Sequence, residues 1–145
     1  MTAVSDILRT KQGAPVHAVA PHDSVLTALQ RMAQYDVGAL LVMEGEAVVG
    51  IVSERDYARK VALMGRTSSD TLVRDVMSSP VFFVRSHQSI EHCMHVMTTH
   101  RLRHLPVVDD GELKGMVSIG DLVKSMMSEQ QFIIEQLEQY IAGAR

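Results

Sequence analysis

Two heptapeptides, GIVSERD (Gly50 to Asp56) and GMVSIGD (Gly115 to Asp121), stand 65 residues apart and share the pattern GxxSxxD. A serine followed three residues later by an aspartate suits two kinds of chemistry. At a helix start, the serine hydroxyl accepts a hydrogen bond from a first-turn backbone N–H and the aspartate accepts one in return, a capping box that needs no ligand. As a ligand seat, the aspartate carboxylate accepts hydrogen bonds from a vicinal diol, while a helix start, Ser53 and Arg55 together receive an anion. Arg55 favours the second reading, because a cation in the first helical turn opposes the helix dipole by about 0.3–1 kcal/mol. The other copy has Gly120 at that position, so Ser118 and Asp121 keep their roles while positive charge must come from elsewhere, with Lys11 as the candidate. The two sites are therefore expected to be unequal.

The likeness extends backwards from the heptapeptides without a gap. Pro15 falls on Pro80, Val16 on Val81, Val19 on Val84, Ser24 on Ser89, Met32 on Met97, Leu40 on Leu105 and Val42 on Val107. Upstream, VSDIL at Val4 resembles VRDVM at Val73, but the spacing there is four residues longer, so the first copy carries an insertion within RTKQGAP. Each copy reads strand, helix, strand, strand, helix. VHAV and VFFV are short β-rich runs. Ser24 and Ser89 are N-caps, followed at helical spacing by Val25, Ala28, Leu29 and Met32, and by Ile90, Cys93, Met94 and Met97. ALLVM and HLPVV turn through Gly-containing hairpins into AVVGIV and ELKGMV. A last helix starts near Ser53 or Ser118. The spacing predicts repeats at 1–65 and 73–128, a linker at 66–72 and a separate amphipathic helix at 129–145, whose stripe is Phe132 or Ile133, Leu137, Tyr140 and Ile141. Neither copy holds enough apolar surface to be secure alone, so the two are expected to pack face to face as a pseudo-twofold α+β domain.

Composition removes several function classes. A net charge of −3, no tryptophan and six other aromatics argue against nucleic-acid binding. One cysteine excludes a disulfide framework, and with neither a signal peptide nor a membrane-length apolar run, the expected setting is cytoplasmic. No nucleophile triad, P-loop or GxGxxG pattern supports an enzyme. Five histidines from His87 to His104 raise metal binding, but His92 and His95 align with the polar Thr27 and Gln30, so no metal is expected. Cys93 aligns with Ala28 on the buried stripe and reads as inert packing.

The doubled GxxSxxD, each copy preceded by strand, helix and hairpin, together with the DVM lead-in and RHLPVVDD, resembles a tandem CBS-domain pair, the Bateman module, from about Val4 to Met127. The resemblance implies a non-catalytic regulatory module that binds adenine nucleotides in the clefts between its repeats. Ser53, Arg55 and Asp56 would serve one site, with Val16, Val37, Gly38 and Ala39 beside the adenine. Ser118 and Asp121 would serve the other, with Val81, Leu102 and Leu105 beside the base and Lys11 near the phosphate. Arg103 and His104, where the first repeat has Gly38 and Ala39, are phosphate candidates reaching across the repeat interface. AMP or NAD(H) leads as ligand, followed by ADP, ATP or SAM. A homodimer acting on a protein target in trans is expected. The alternative is a structural dimerisation module with no physiological nucleotide.

Overall fold

The computed structural model describes residues 2–11 and 16–143; Pro15 and the inserted residues before it lie outside them. The chain forms two compact units, Pro15–Phe82 and Met1–Ala14 with Phe83–Arg145.

In the first unit, Ser24 sits in extended backbone and its side chain accepts the Thr27 N–H, which opens α2 at Val25–Tyr35. Val25, Ala28 and Met32 form the helix's buried face, and Asp36 ends it in the left-handed conformation, φ 53°. A sheet ordered β1-β2-β3 lies against it. The expected VHAV strand shrinks to β1, Ala18–Val19, parallel to β2, Ala39–Glu44. β2 pairs antiparallel with β3, Ala47–Ser53, through a turn with Gly45 at φ 62°. From Ser53 the chain enters the four-residue helix α3, Glu54–Tyr57, and widens into a π-helical turn at Ala58–Ala62. A 3-10 turn at Val73–Asp75 leads back to the sheet, where Ser78 bridges Ile51. Val19, Val25, Ala28, Met32, Leu40, Val42, Val52, Val61, Val73 and Val76 make one core.

The second unit repeats the plan with other partners. α1, Val4–Thr10, buries Val4 and Ile7. α4, Ile90–His100, is capped by Ser89 and closed by Arg101 at φ 56°. β4, His104–Asp109, pairs antiparallel with β5, Glu112–Ser118. VFFV forms no full strand: Val84 alone bridges Val107, while Phe82 and Phe83 are exposed and offer no inward alternation. The final helix, α5, runs unbroken over Ile119–Gly143. The expected C-terminal helix is present, but it continues unbroken from the helix after Ser118 instead of starting at residue 129; no glycine or proline stands near Ser128 to stop the first segment.

The segments that look alike upstream have joined opposite cores. VSDIL packs as α1 on the second repeat's strands, and VRDVM lies against the first repeat's. The repeat as a stretch of sequence and the unit as a packed body are therefore different sets of residues.

Candidate functional site

β3 and β5 each end on the serine of GxxSxxD, and the extended backbone there turns directly into a helix. At Ser53, the backbone N–H donates to Asp56 Oδ2 at 2.9 Å, and the Asp56 N–H donates to Ser53 Oγ at 3.1 Å. Ser53 Oγ also donates to Asp56 Oδ2 at 3.0 Å. Lys60, one turn on, places Nζ 3.2 Å from Asp56 Oδ1 and donates to the Val76 carbonyl at 2.8 Å. Three of the roughly four acceptor positions of this carboxylate are thus occupied within the chain. Arg55 is exposed beside it.

Ser118 and Asp121 form the same box in the second unit, with bonds of 2.9 and 3.1 Å. Here the ammonium comes from Lys11, at the end of α1. Its Nζ donates to Asp121 Oδ2 and to the Met116 carbonyl, both at 2.9 Å. Oδ1 of Asp121 has no partner among the described residues. This carboxylate keeps more acceptor capacity than Asp56, and its side chain is also more exposed, at 25% against 13%. Burial opposes its ionisation, but the Lys11 and Ser118 hydrogen bonds outweigh that and hold the carboxyl below its usual range. His104, opposite Ser118 in the sheet register, is pushed below the ordinary imidazole value by burial; Asp121 partly reverses this, and Lys11 and Arg103 add to it.

Of the other anticipated residues, Val16 is exposed and Val37, Gly38, Val81 and Leu102 are half-buried, whereas Ala39 and Leu105 are fully buried in their sheets. Arg103 is exposed and its carbonyl accepts the Ile119 N–H at 2.9 Å; the Gly38 carbonyl accepts from Glu54 at 3.0 Å in the same way. A depression of about 390 Å³ is lined by Leu29, Met32, Ala33, Asp36, Val37, Gly38 and Glu54. It takes in Val37 and Gly38 but not Ser53, Arg55 or Asp56. Sequence reasoning missed Lys60, although its i,i+4 spacing from Asp56 is a readable ion-pair signal. It also missed the stack of His17 on Tyr35, with ring centroids 3.7 Å apart and planes within 8°. His92 and His95 are exposed, and no group of three metal-ligating side chains comes together among the described residues. Cys93 is buried, and burial pushes its thiol up to about 11. No helix among the described residues is long and apolar enough to cross a membrane.

The CBS domain profile matches residues 4–63 and 73–128. The mitochondrial CBS domain-containing protein CBSX3 of Arabidopsis thaliana is 36% identical over 150 residues, covering 98% of this chain and 73% of its own. A protein with CBS domains from Burkholderia ambifaria superposes with a TM-score of 0.85 at 48% identity, covering 89% of this chain and 96% of that one. A CBS domain pair solved in complex with 5′-methylthioadenosine and S-adenosyl-L-methionine shares the fold, with a TM-score of 0.75 at 22% identity, over 89% of this chain and 98% of its own.

Proposed function

Because the chain belongs to the CBS-domain family, with two repeats in tandem, we propose that it is a non-catalytic sensor of adenine nucleotides that regulates a protein partner in trans. AMP or NAD(H) leads as ligand, with ADP, ATP and SAM behind them, and the proposed setting is cytoplasmic. The observation that carries the reading is the free carboxylate oxygen of Asp121. Its Oδ2 is fixed by Ser118 and Lys11, so Oδ1 is held in place yet open to the two hydroxyls of a ribose. Lys11 is the cation beside it, and Arg103, whose carbonyl accepts the Ile119 N–H, carries an exposed guanidinium; both suit phosphate. At Asp56 a ribose must displace Ser53 Oγ or Lys60, and Arg55 is free to meet phosphate. Val16, Val37, Val81 and Leu102 keep surface for an adenine; Ala39 and Leu105 support it from beneath. The adenosine ligands of the 22%-identical pair give the fold precedent.

Thermal melting against AMP, ADP, ATP, NAD+, NADH and SAM tests this. A ligand at 100 times its Kd stabilises by about 2.7 kcal/mol, which for a chain of this size raises the midpoint by roughly 5–10 °C. No movement with any of the six defeats the sensor reading. Calorimetry then ranks the sites: Asp121→Asn is expected to weaken the ligand roughly 10-fold to 150-fold, the loss of a charge-assisted hydrogen bond pair, and Asp56→Asn less. Equal affinities across wild type and both variants would leave the doubled phrase as two helix caps.

A second reading, a structural dimerisation module with empty sites, is favoured by one feature. Phe132, Ile133, Leu137, Tyr140 and Ile141 on α5 are 51–76% exposed, a stripe suited to burial against another chain.

A further inference from the structure

The corner after α2 and the corner after α4 occupy equivalent places in the two repeats and carry opposite charge. Asp36 and Arg101, the left-handed residues that close these helices, lie 65 residues apart, as do Val37 and Leu102, Gly38 and Arg103, and Glu54 and Ile119. In the first unit the corner is hollow and acidic. Asp36 and Glu54 are among the residues lining the 390 Å³ depression, and Gly38 contributes no side chain; a Cβ there would meet only Glu54 Oε1, at 3.5 Å. In the second unit the corner is basic, with Arg101 and Arg103 exposed on either side of half-buried Leu102. Among the described residues, none of the side chains of Asp36, Glu54, Arg101 and Arg103 takes part in a hydrogen bond or ion pair.

We propose that these two corners form a docking surface between copies of this chain, Arg101 of one copy entering the acidic depression of another. The chemistry selects a guanidinium. Leu29, Met32 and Ala33 offer apolar surface to its methylene stem, and Asp36 and Glu54 offer carboxylates to its planar fork. A phosphate group is disfavoured in the depression, because two unpaired carboxylates repel it; an adenine seated on Val37 would share that residue with the docked Arg101. A hard metal ion is disfavoured as well, because it needs six or more oxygen ligands and the lining is largely apolar. The occupant is a second copy because the same chain carries the complementary knob on the same backbone form. Like corners repel and unlike corners attract, so the charge pattern fixes which corner of one copy meets which corner of the next. A contact between two different surfaces is made twice in a two-fold pair or once per step in an open chain. None of this rests on the nucleotide reading.

The test is sedimentation velocity of the full chain without nucleotide, over a range of concentration and salt. Asp36→Arg sets a guanidinium where Arg101 of the partner copy would dock, leaving Glu54 as the only carboxylate there, and Arg101→Asp turns the docking knob into a carboxylate, leaving Arg103 beside it. Each is expected to weaken association about tenfold or more, and an equimolar mixture of the two chains is expected to recover wild-type association. Wild-type association itself should weaken as salt rises. Each variant places at its corner a charge type the other repeat already holds at a similar positive φ, and melting midpoints check that both fold. Should either melt early, Glu54→Gln removes one carboxylate without touching a helix cap and is expected to weaken wild-type association. Single variants that associate like wild type, a mixture no tighter than its parents, or a wild type monomeric throughout would each overturn the proposal.

Discussion

Asp121 and His104 make the second unit acid-sensitive, and the direction follows from where each proton goes. The unfolded imidazole binds its proton near 6.5 and the folded one only at lower pH. The unfolded state thus holds more protons below that value, and stability falls as pH drops. Asp121 acts in the same direction at lower pH: its folded carboxyl lies below the ordinary 3.8, so its contribution is complete above that value and is lost as pH falls through the folded one. Melting midpoints between pH 7 and 3 are expected to fall in two stages. His104→Gln should flatten the stage that begins near pH 6.5, and Asp121→Asn the stage below about pH 4; a single stage unaffected by His104→Gln would refute the assignment. Lys11→Met should raise the Asp121 pKa, read by NMR titration of the carboxyl carbon, because its removal leaves burial opposed by Ser118 alone. The serine–aspartate caps were legible in the sequence because their partners lie three residues apart. The Lys11–Asp121 pair was not, since 110 residues separate the two and no local rule connects them.

Glycines in the middle of β3 and β5 set how closely the lead-in segments approach. A Cβ on Gly50 would stand 2.5 Å from Met77 Sδ and 3.2 Å from Met77 Cβ; one on Gly115 would stand 2.8 Å from Leu8 Cδ2. Leu8 can swing its tip away, whereas Met77 is met along its length. Gly50→Ala is therefore expected to destabilise by about 1–3 kcal/mol, and Gly115→Ala by less, in chemical denaturation. The reverse order would mean that α1 is held more tightly than its side-chain contacts indicate. α5, spanning roughly 37 Å at 1.5 Å per residue, leaves its last four turns uncovered. Deleting Phe132 to Arg145 should leave the melting midpoint within a few degrees, because Leu122 is the helix's buried residue. If the stripe closes a dimer, light scattering of the deleted chain gives a monomer mass; an unchanged mass places self-association elsewhere. α2 and α4 were legible because a capping serine and an apolar stripe coincide. α3 and its π-helical continuation were not, since a helix pattern alone does not register a change of winding.

At the scale of the molecule, the repeat and its two GxxSxxD caps were readable because the copies align over some fifty residues without a gap. The exchange of lead-in segments was not readable. VSDIL and VRDVM present nearly the same valine, aspartate and aliphatic pattern, so either could pack on either core, and only long-range contacts decide. That exchange also gives the chain a timetable. The Pro15–Phe82 unit is contiguous and can close once it has left the ribosome, but α1 emerges first and its berth is made last. Val4 and Ile7 pack against Val117 and Leu122, more than a hundred residues downstream. At about 5–20 residues per second, the newborn helix waits roughly 5–20 s for its partners, its apolar face open to any chaperone at the tunnel exit.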